Sequence, residues 1–244
     1  MAAEILVVDD DPDIIQLVTI WLTDVGYSVY TARNGVQGLN EFISRRPDLV
    51  IVDVMMPRMD GLELCRQIRE ISSVPIIVLS AKTQEEDKVL GLSFGADDYI
   101  TKPAPRREFL ARVEAALRRA SMPAIADSRA IYTDGYLTVD FDRHEVFAEK
   151  QQVHLTPLEF FLLKMLVENA GKVLSHQVLL DAGWGQDYSS ADSVKWHIVH
   201  LRRKIGDDTR SPRIIRTVRG AGYRYDPPVA SPSTPGTRQQ GAQP

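Results

Sequence analysis

The stretch Pro47–Gly61, PDLVIVDVMMPRMDG, sets the reading of the chain. Leu49, Val50, Ile51 and Val52 form an unbroken apolar run, the pattern of a strand covered on both faces. The run ends in Asp53, a carboxylate for which a core strand has no use. A loop follows, MMPRMDG, punctuated by Pro57 and Gly61. In open α/β sheets, ligands bind beyond the carboxyl ends of the strands. Asp53 stands at such an end and is the first candidate for chemistry.

Working outward, Ile5–Val8 is another apolar run. It ends in Asp9, Asp10 and Asp11, adjacent acids whose mutual repulsion a cation would relieve. Helical spacing through Ile14, Leu17, Val18, Trp21 and Leu22 predicts a helix after it. The same reading predicts strands at 27–31, 75–79 and 97–101, with helices at 36–43, 62–71, 85–94 and 108–119. The 75–79 strand leads into Ser80, and the 97–101 strand leads into Lys102-Pro103. Strands alternating with helices through short loops imply an α/β, doubly wound parallel sheet with helices on both faces.

Asp9, Asp10, Asp53, Ser80 and Lys102 then meet at one sheet edge. Clustered carboxylates beside a lysine suit Mg²⁺, a hard cation that takes oxygen ligands and keeps several waters. Asp53 would be a nucleophile, since carboxylates accept phosphoryl groups as acyl phosphates. Mg²⁺ and Lys102 would stabilise charge on the transferring oxygens, and Ser80 would hydrogen-bond the bound group. Any one of these residues alone would be an ordinary strand-end cap. Their occurrence on successive strands is what argues for a site.

These residues resemble the receiver domain of two-component response regulators, from about Glu4 to Arg119. The resemblance rests on Asp9-Asp10, on Asp53 in VDVMMPRMDG, on Ser80-Ala81, on GADDY at Gly95–Tyr99 and on Lys102-Pro103. It implies strand order 2-1-3-4-5 and a phosphoacceptor at Asp53. It also implies a metal held by Asp9, Asp10, Asp53 and the backbone carbonyl of Met55. Tyr99 is implied to be an aromatic switch that turns inward as Ser80 moves toward the phosphate. The Lys102-Pro103 bond is usually cis in this family. Receivers of the family pair through a face that here holds Lys88, Val89, Leu92, Asp97, Asp98, Glu108, Leu110, Arg112 and Arg119. The expected ion pairs are Lys88 with Glu108, Asp98 with Arg112 and Asp97 with Arg119.

The second half has a different pattern. Short alternating segments at 136–140, 145–149 and 153–155 suggest a small antiparallel sheet. Thr156-Pro157-Leu158-Glu159 is a capping box with proline at the first helical position. Ser175 caps a second helix, expected to end near Leu180, after which Trp184-Gly185 starts a loop. A third helix is expected over 190–205, with Val194, Ile198, Leu201 and Ile205 inward. Its other face presents Ser193, Lys195, Trp196, His197, Val199, His200, Arg202 and Arg203. Ile214–Val218 and Tyr223–Tyr225 flank Arg219-Gly220-Ala221-Gly222, a hairpin by its glycines.

Net charge is −4 overall, but residues 195–224 carry nine Lys or Arg against only Asp207 and Asp208. Such a basic patch is the electrostatic footprint of nucleic-acid contact. LTPLEF at Leu155–Phe160, DAGWG at Asp181–Gly185 and RTVRGAGYRY at Arg216–Tyr225 resemble the winged helix-turn-helix of OmpR/PhoB-type regulators. That α+β module is implied to place its third helix in the major groove and its wing on the minor groove or its backbone. The DNA contacts implied are Trp184, Ser193, Trp196, His197, His200, Arg202, Arg203, Thr217, Arg219 and Tyr223. Lys195, Trp196, Val199 and His200 depart from the family pattern, which puts the base sequence read in question.

The expected organisation is a receiver over 1–120, a linker over 121–130, a winged helix over 131–227 and a disordered tail over 228–244. No membrane span or secretory signal is expected, and the single Cys65 cannot form an internal disulfide, so a cytoplasmic location is expected. The implied partners are double-stranded DNA, a cognate sensor histidine kinase, a second copy on phosphorylation, and RNA polymerase through the Trp184–Ser190 loop. The alternatives are a phosphate-relay protein whose second half binds protein or RNA, and an enzyme. Against an enzyme, Gly91–Gly95 spells GxSxG but lies between a helix and a strand, not at a strand-to-helix elbow.

Overall fold

The structure, a computed structural model, describes residues 2–81, 94–121, 131–185 and 191–228. The first domain is built on a parallel sheet of β1 (Glu4–Val8), β2 (Ser28–Ala32), β3 (Leu49–Val52), β4 (Ile76–Ser80) and β5 (Asp98–Thr101). Its order is β2-β1-β3-β4-β5, as the resemblance implied. All four residues of β3 are buried, which is why its sequence shows no alternation.

Side chains alternate between two cores. Leu6, Val8, Val50, Val52, Ile76 and Val78 face Phe42, Leu64, Cys65 and Ile68 on one side. Ile5, Val7, Leu49, Ile51, Ile77 and Leu79 face Val18, Leu22, Phe109 and Val113 on the other. The helices supplying these faces are α1 (Pro12–Asp24), α2 (Gly35–Arg45), α3 (Gly61–Ile71) and α4 (Arg106–Ala120). Asp11, Asn34 and Asp60 cap the first three through their side chains.

The second domain opens with an antiparallel sheet of β6 (Ile131–Thr133), β7 (Leu137–Asp140), β8 (Glu145–Ala148) and β9 (Gln151–Val153). Then come α5 (Pro157–Glu168), β10 (Val173–Ser175), α6 (His176–Trp184), α7 (Ala191–Lys204), β11 (Ile215–Val218) and β12 (Gly222–Tyr225). The capping box forms as read. Thr156 Oγ1 accepts from the Glu159 amide at 3.3 Å, and Glu159 Oε2 accepts from the Thr156 amide at 2.8 Å.

Several details differ from the sequence reading: the small antiparallel sheet gains β6, and its last strand lies at Gln151–Val153 instead of 153–155. Helix α6 continues through Trp184, which is buried at its last turn instead of starting a loop. Strand β10 pairs with β12, making a three-stranded sheet where a simple hairpin was expected. Its three residues are too short a run to show a period.

The helix expected over 85–94 lies largely outside the described residues. So do Lys88, Val89 and Leu92, all of the expected linker but Ser121, most of the Trp184–Ser190 loop, and the tail beyond Pro228. No helix among the described residues is long and apolar enough to cross a membrane. The two domains touch, with α4 packed against α5 and α6.

Candidate functional site

The carboxyl edge of the parallel sheet gathers Asp9, Asp53, Ser80 and Lys102. Lys102 Nζ donates to Asp9 Oδ2 at 2.5 Å and to Asp53 Oδ1 at 2.7 Å. The other Asp53 oxygen accepts from the Met55 amide at 2.6 Å, and Asp9 Oδ1 accepts from the Asp11 amide at 3.0 Å. Asp9 and Asp53 are buried, whereas Asp10 is exposed. Burial pushes the Asp53 carboxyl above the usual carboxylate range, and Lys102 opposes that shift. Burial also works against the Lys102 charge, but its hydrogen bonds to Asp53 and Asp9 outweigh it and raise its pKa.

One ammonium is therefore shared by two buried carboxylates, and the edge keeps an excess of negative charge. Among the described residues, no three Asp, Glu, His or Cys side chains converge closely enough to hold a metal by themselves. The donor set still fits a hard cation that completes its shell with water. It is all oxygen, with Asp9 and Asp53 brought together at the Lys102 ammonium and Asp10 next in the chain.

Ser80 and Tyr99 are both buried. In the β4–β5 register Ser80 faces Thr101 and Tyr99 faces Val78, so both belong to the strands that frame the site. Tyr99 packs with the cluster around Ile76 and Ala96. The Lys102-Pro103 peptide is cis. The loop after Asp53 is held by the Gly61 amide, which donates to the Val54 carbonyl at 3.0 Å. A Cβ on Gly61 would lie 1.9 Å from the Asp53 carbonyl oxygen, so this position has room only for glycine.

In the second domain, Val194, Ile198, Leu201 and Ile205 enter the core as read. Asp207 ties the wing to the end of α7: its carboxylate accepts from the Arg213 amide at 2.8 Å and the Ile215 amide at 2.9 Å. Arg203, Thr217 and Arg219 are exposed. Arg202 is not: its Nε donates to the Ile215 carbonyl at 2.9 Å and its Nη2 to Thr217 Oγ1 at 2.8 Å. Its guanidinium also stands 5.7 Å from the centre of the Tyr223 ring.

Two family models match. Residues 5–114 match the response regulator receiver domain, and residues 150–225 match the C-terminal domain of transcriptional regulatory proteins. The chain is 42% identical over 236 residues to the alkaline phosphatase synthesis transcriptional regulatory protein PhoP of Bacillus subtilis, covering 93% of this chain and 98% of that protein. The chain belongs to the OmpR/PhoB family of response regulators. It is also 41% identical over 235 residues to the DNA-binding response regulator MtrA of Mycolicibacterium smegmatis, covering 93% of this chain and 99% of that one. Among solved structures, a mutant form of RitR superposes with a TM-score of 0.71 at 24% identity, over 92% of this chain and 99% of that one, a likeness of fold.

As an OmpR/PhoB response regulator, the chain couples a receiver to a DNA-binding domain and regulates transcription. Several expected contacts sit differently from the sequence reading. Trp184, Ser193, His197, Arg202 and Tyr223, read as DNA contacts, are buried in this arrangement. Arg202 turns inward because its long stem lets the guanidinium satisfy a wing carbonyl, and Trp184 fills the core beneath α6. Trp196 and His200 are half-buried, with their rings stacked 3.7 Å apart.

Of the ion pairs expected on the receiver face, Asp98 with Arg112 forms, within one chain, and Asp97 with Arg119 does not. Asp97 takes Arg69 at 2.6 Å instead of Arg119, and also accepts from the Ile76 amide at 2.8 Å. Arg119 Nη1 instead donates to the Gly183 carbonyl of the second domain. Arg112 binds Asp98 at 3.0 Å and also Glu108, all within one chain. For Asp97 and Asp98 the cause is the same: a buried carboxylate takes the guanidinium already within reach. Arg69 escaped the sequence reading because a helix arginine carries no mark of the strand-end carboxylate it will meet.

Proposed function

We propose that Asp53 accepts a phosphoryl group from a sensor histidine kinase in the cytoplasm, in a Mg²⁺-dependent reaction, and that this promotes receiver pairing and sequence-specific DNA binding. The observation that carries the reading is the pair of bonds from Lys102 Nζ to Asp9 and Asp53. They hold a fixed cation beside the attacking oxygen.

In the reaction, an Asp53 carboxylate oxygen attacks phosphorus while the bond from phosphorus to the donor's imidazole nitrogen breaks, leaving an acyl phosphate on Asp53. Lys102 is placed to follow the developing charge on the phosphoryl oxygens. Ser80, one strand away, would donate to the same group. A divalent cation held by Asp9, Asp10, Asp53 and the Met55 carbonyl would supply further charge neutralisation. The chain's own chemistry ends there, with phosphotransfer to itself and hydrolysis of the acyl phosphate.

On the DNA side, Arg203, Thr217 and Arg219 are the exposed candidates for backbone contact, with α7 as the groove-entering element. Arg202 and Tyr223 position the wing instead. We assign the receiver to 1–120, the linker to 121–130, the DNA-binding domain to 131–227 and a tail to 228–244, with RNA polymerase contacting the loop before α7.

Asp53→Asn tests the reading. Incubated with acetyl phosphate and Mg²⁺, the variant is expected to take up no label while the native chain does. Equal labelling would mean that a different side chain is the nucleophile.

A further inference from the structure

Four arginines, Arg202, Arg210, Arg213 and Arg216, surround a 560 Å³ hollow between the end of α7 and the start of β11. Among the described residues, no acidic side chain lines it. A guanidinium stays charged at any ordinary pH, so the hollow concentrates positive charge. Arg216 has a carboxylate partner, Asp226 at 3.1 Å. Arg202, Arg210 and Arg213 form no ion pair among the described residues.

The loop DDTRSPRI, Asp207–Ile214, carries two of these arginines. Its own acids are committed to backbone amides. Asp208 Oδ1 accepts from the Arg210 amide at 2.8 Å, and Asp207 accepts from the Arg213 amide at 2.8 Å and the Ile215 amide at 2.9 Å. These bonds pin both flanks of the turn, and Pro212 restricts its φ, so the guanidinium groups project from a fixed frame. Arg202 is the recessed member, 5% exposed. Its Nε and Nη2 bond to Ile215 and Thr217, whereas its Nη1 has no partner among the described residues. Burial pulls its pKa below the usual arginine value, and Asp207 offsets part of that.

We propose that this hollow is a binding site for a small molecule bearing a di- or triphosphate. A single phosphate carries roughly −2 at most, less than the charge of the three unpaired guanidinium groups, so two or three linked phosphates match it better. Guanidinium forks pair with phosphate oxygens in bidentate fashion. The hydroxyls of Thr209, Ser211 and Thr217 line the same hollow and add neutral donors. Thr217 Oγ1 already accepts from Arg202 Nη2, which leaves its proton to donate. Pro212 is the one apolar side chain of the lining among the described residues, so recognition rests on the phosphates and not on a base or ring.

Two observations favour a free solute over a duplex backbone. Arg202 lies below the surface, where a free phosphate chain can descend while a duplex would rest on the exposed rim. The hollow also stands apart from the face of α7 that meets the receiver. On that face, His197 Nε2 lies 3.1 Å from the Asp97 carbonyl oxygen and Trp196 packs with the cluster around Ile76 and Ala96. Every residue lining the hollow belongs to the second domain, and Arg210, Arg213 and Arg216 are exposed, so a solute reaches it while that face is covered. The site goes beyond the phosphotransfer reading and does not depend on it.

The test is isothermal titration of the full, unphosphorylated chain with sodium tripolyphosphate and with orthophosphate, at fixed ionic strength and without Mg²⁺. Tripolyphosphate is expected to bind saturably at one site, and orthophosphate at least tenfold more weakly. Arg210→Ala/Arg213→Ala is expected to weaken tripolyphosphate at least tenfold. Both side chains are exposed and the loop is held through their amides, so the variant should fold, as a thermal melt will show. Should it unfold, Arg210→Ala alone decides, with a loss of at least threefold expected. Arg45→Ala/Arg66→Ala removes the same charge from the receiver surface and is expected to leave affinity within about twofold. Equal losses in the two double variants would reveal unspecific attraction and overturn the proposal. No saturable binding, or orthophosphate binding as tightly as tripolyphosphate, would overturn it as well. So would a loop variant that keeps its tripolyphosphate affinity but loses DNA affinity, with the slope of log K against log salt reduced by about 2, for Arg210 and Arg213 would then serve the duplex backbone.

Discussion

Gly61→Ala is the sharpest perturbation the structure offers, because it strikes the loop after Asp53, the proposed phosphoacceptor, without touching a charged group. The added Cβ would lie 1.9 Å from the Asp53 carbonyl oxygen and 2.8 Å from its carbonyl carbon, whereas ordinary contact begins at 3.4 Å. Backbone atoms cannot rotate away as a side chain can. The Asp53–Asp60 loop and the start of α3 must therefore separate by about 1.5 Å, the difference between those two distances. The amide of Gly61 is bonded to Val54 and the amide of Met55 to the Asp53 carboxylate, so the displacement reaches that carboxylate. A misplacement of about 1 Å costs on the order of 10²-fold in rate. Overpacking costs roughly 1–3 kcal/mol of stability, which leaves the domain folded. The assay is the initial rate of labelling by acetyl phosphate at saturating Mg²⁺, alongside far-UV circular dichroism and a thermal melt. A rate within about twofold of native from a folded variant would refute the claim that glycine is needed here to place Asp53.

Gly222→Ala makes the same argument in the wing. Its φ is +150° and its Cβ would lie 1.9 Å from the Leu174 carbonyl oxygen, so β10 and β12 should part and DNA affinity should fall in a filter-binding assay. Arg219→Ala should weaken DNA binding and reduce the slope of log K against log salt by about 1, as for one lost phosphate contact. Arg202→Ala should weaken binding with the slope unchanged. It should also cost on the order of 2–3 kcal/mol in urea unfolding, since its hydrogen bonds hold the wing from within. The His197 imidazole is pushed down to about 3, chiefly by burial and next by Arg119. Lowered from 6.5, it leaves stability intact above pH 6.5 and erodes it as pH falls toward 3, by about 1.4 kcal/mol per unit. His197→Gln should flatten that part of the pH–stability curve, and an unchanged curve would show that His197 does not titrate with unfolding.

Most of the receiver was legible from residues 1–121 because its signals are local. Apolar runs ending in Asp9, Asp53, Ser80 and Lys102 mark strands and their chemical ends in a few residues each. Parallel connections are so restricted that the alternation alone brings those ends to one edge. The capping box at Thr156 and the 4-3-4 spacing of α7 were legible for the same reason. A cap or a helix face is written within one or two turns.

Contacts between elements distant in the chain were decided only by the tertiary structure. Nothing near Asp97 says that it will take Arg69, 28 residues away, and leave Arg119 to bond Gly183 across the domain boundary. Nothing along α7 says that a face rich in Trp and His will turn toward the receiver. Periodicity separates the two sides of a helix. What each side meets depends on how whole domains pack, and on which buried donor reaches an acceptor first. The sequence by itself thus determined the strand ends, the caps and the basic stretch. The burial of Arg202 and His197, and the contact of α7 with the receiver, arose from packing alone.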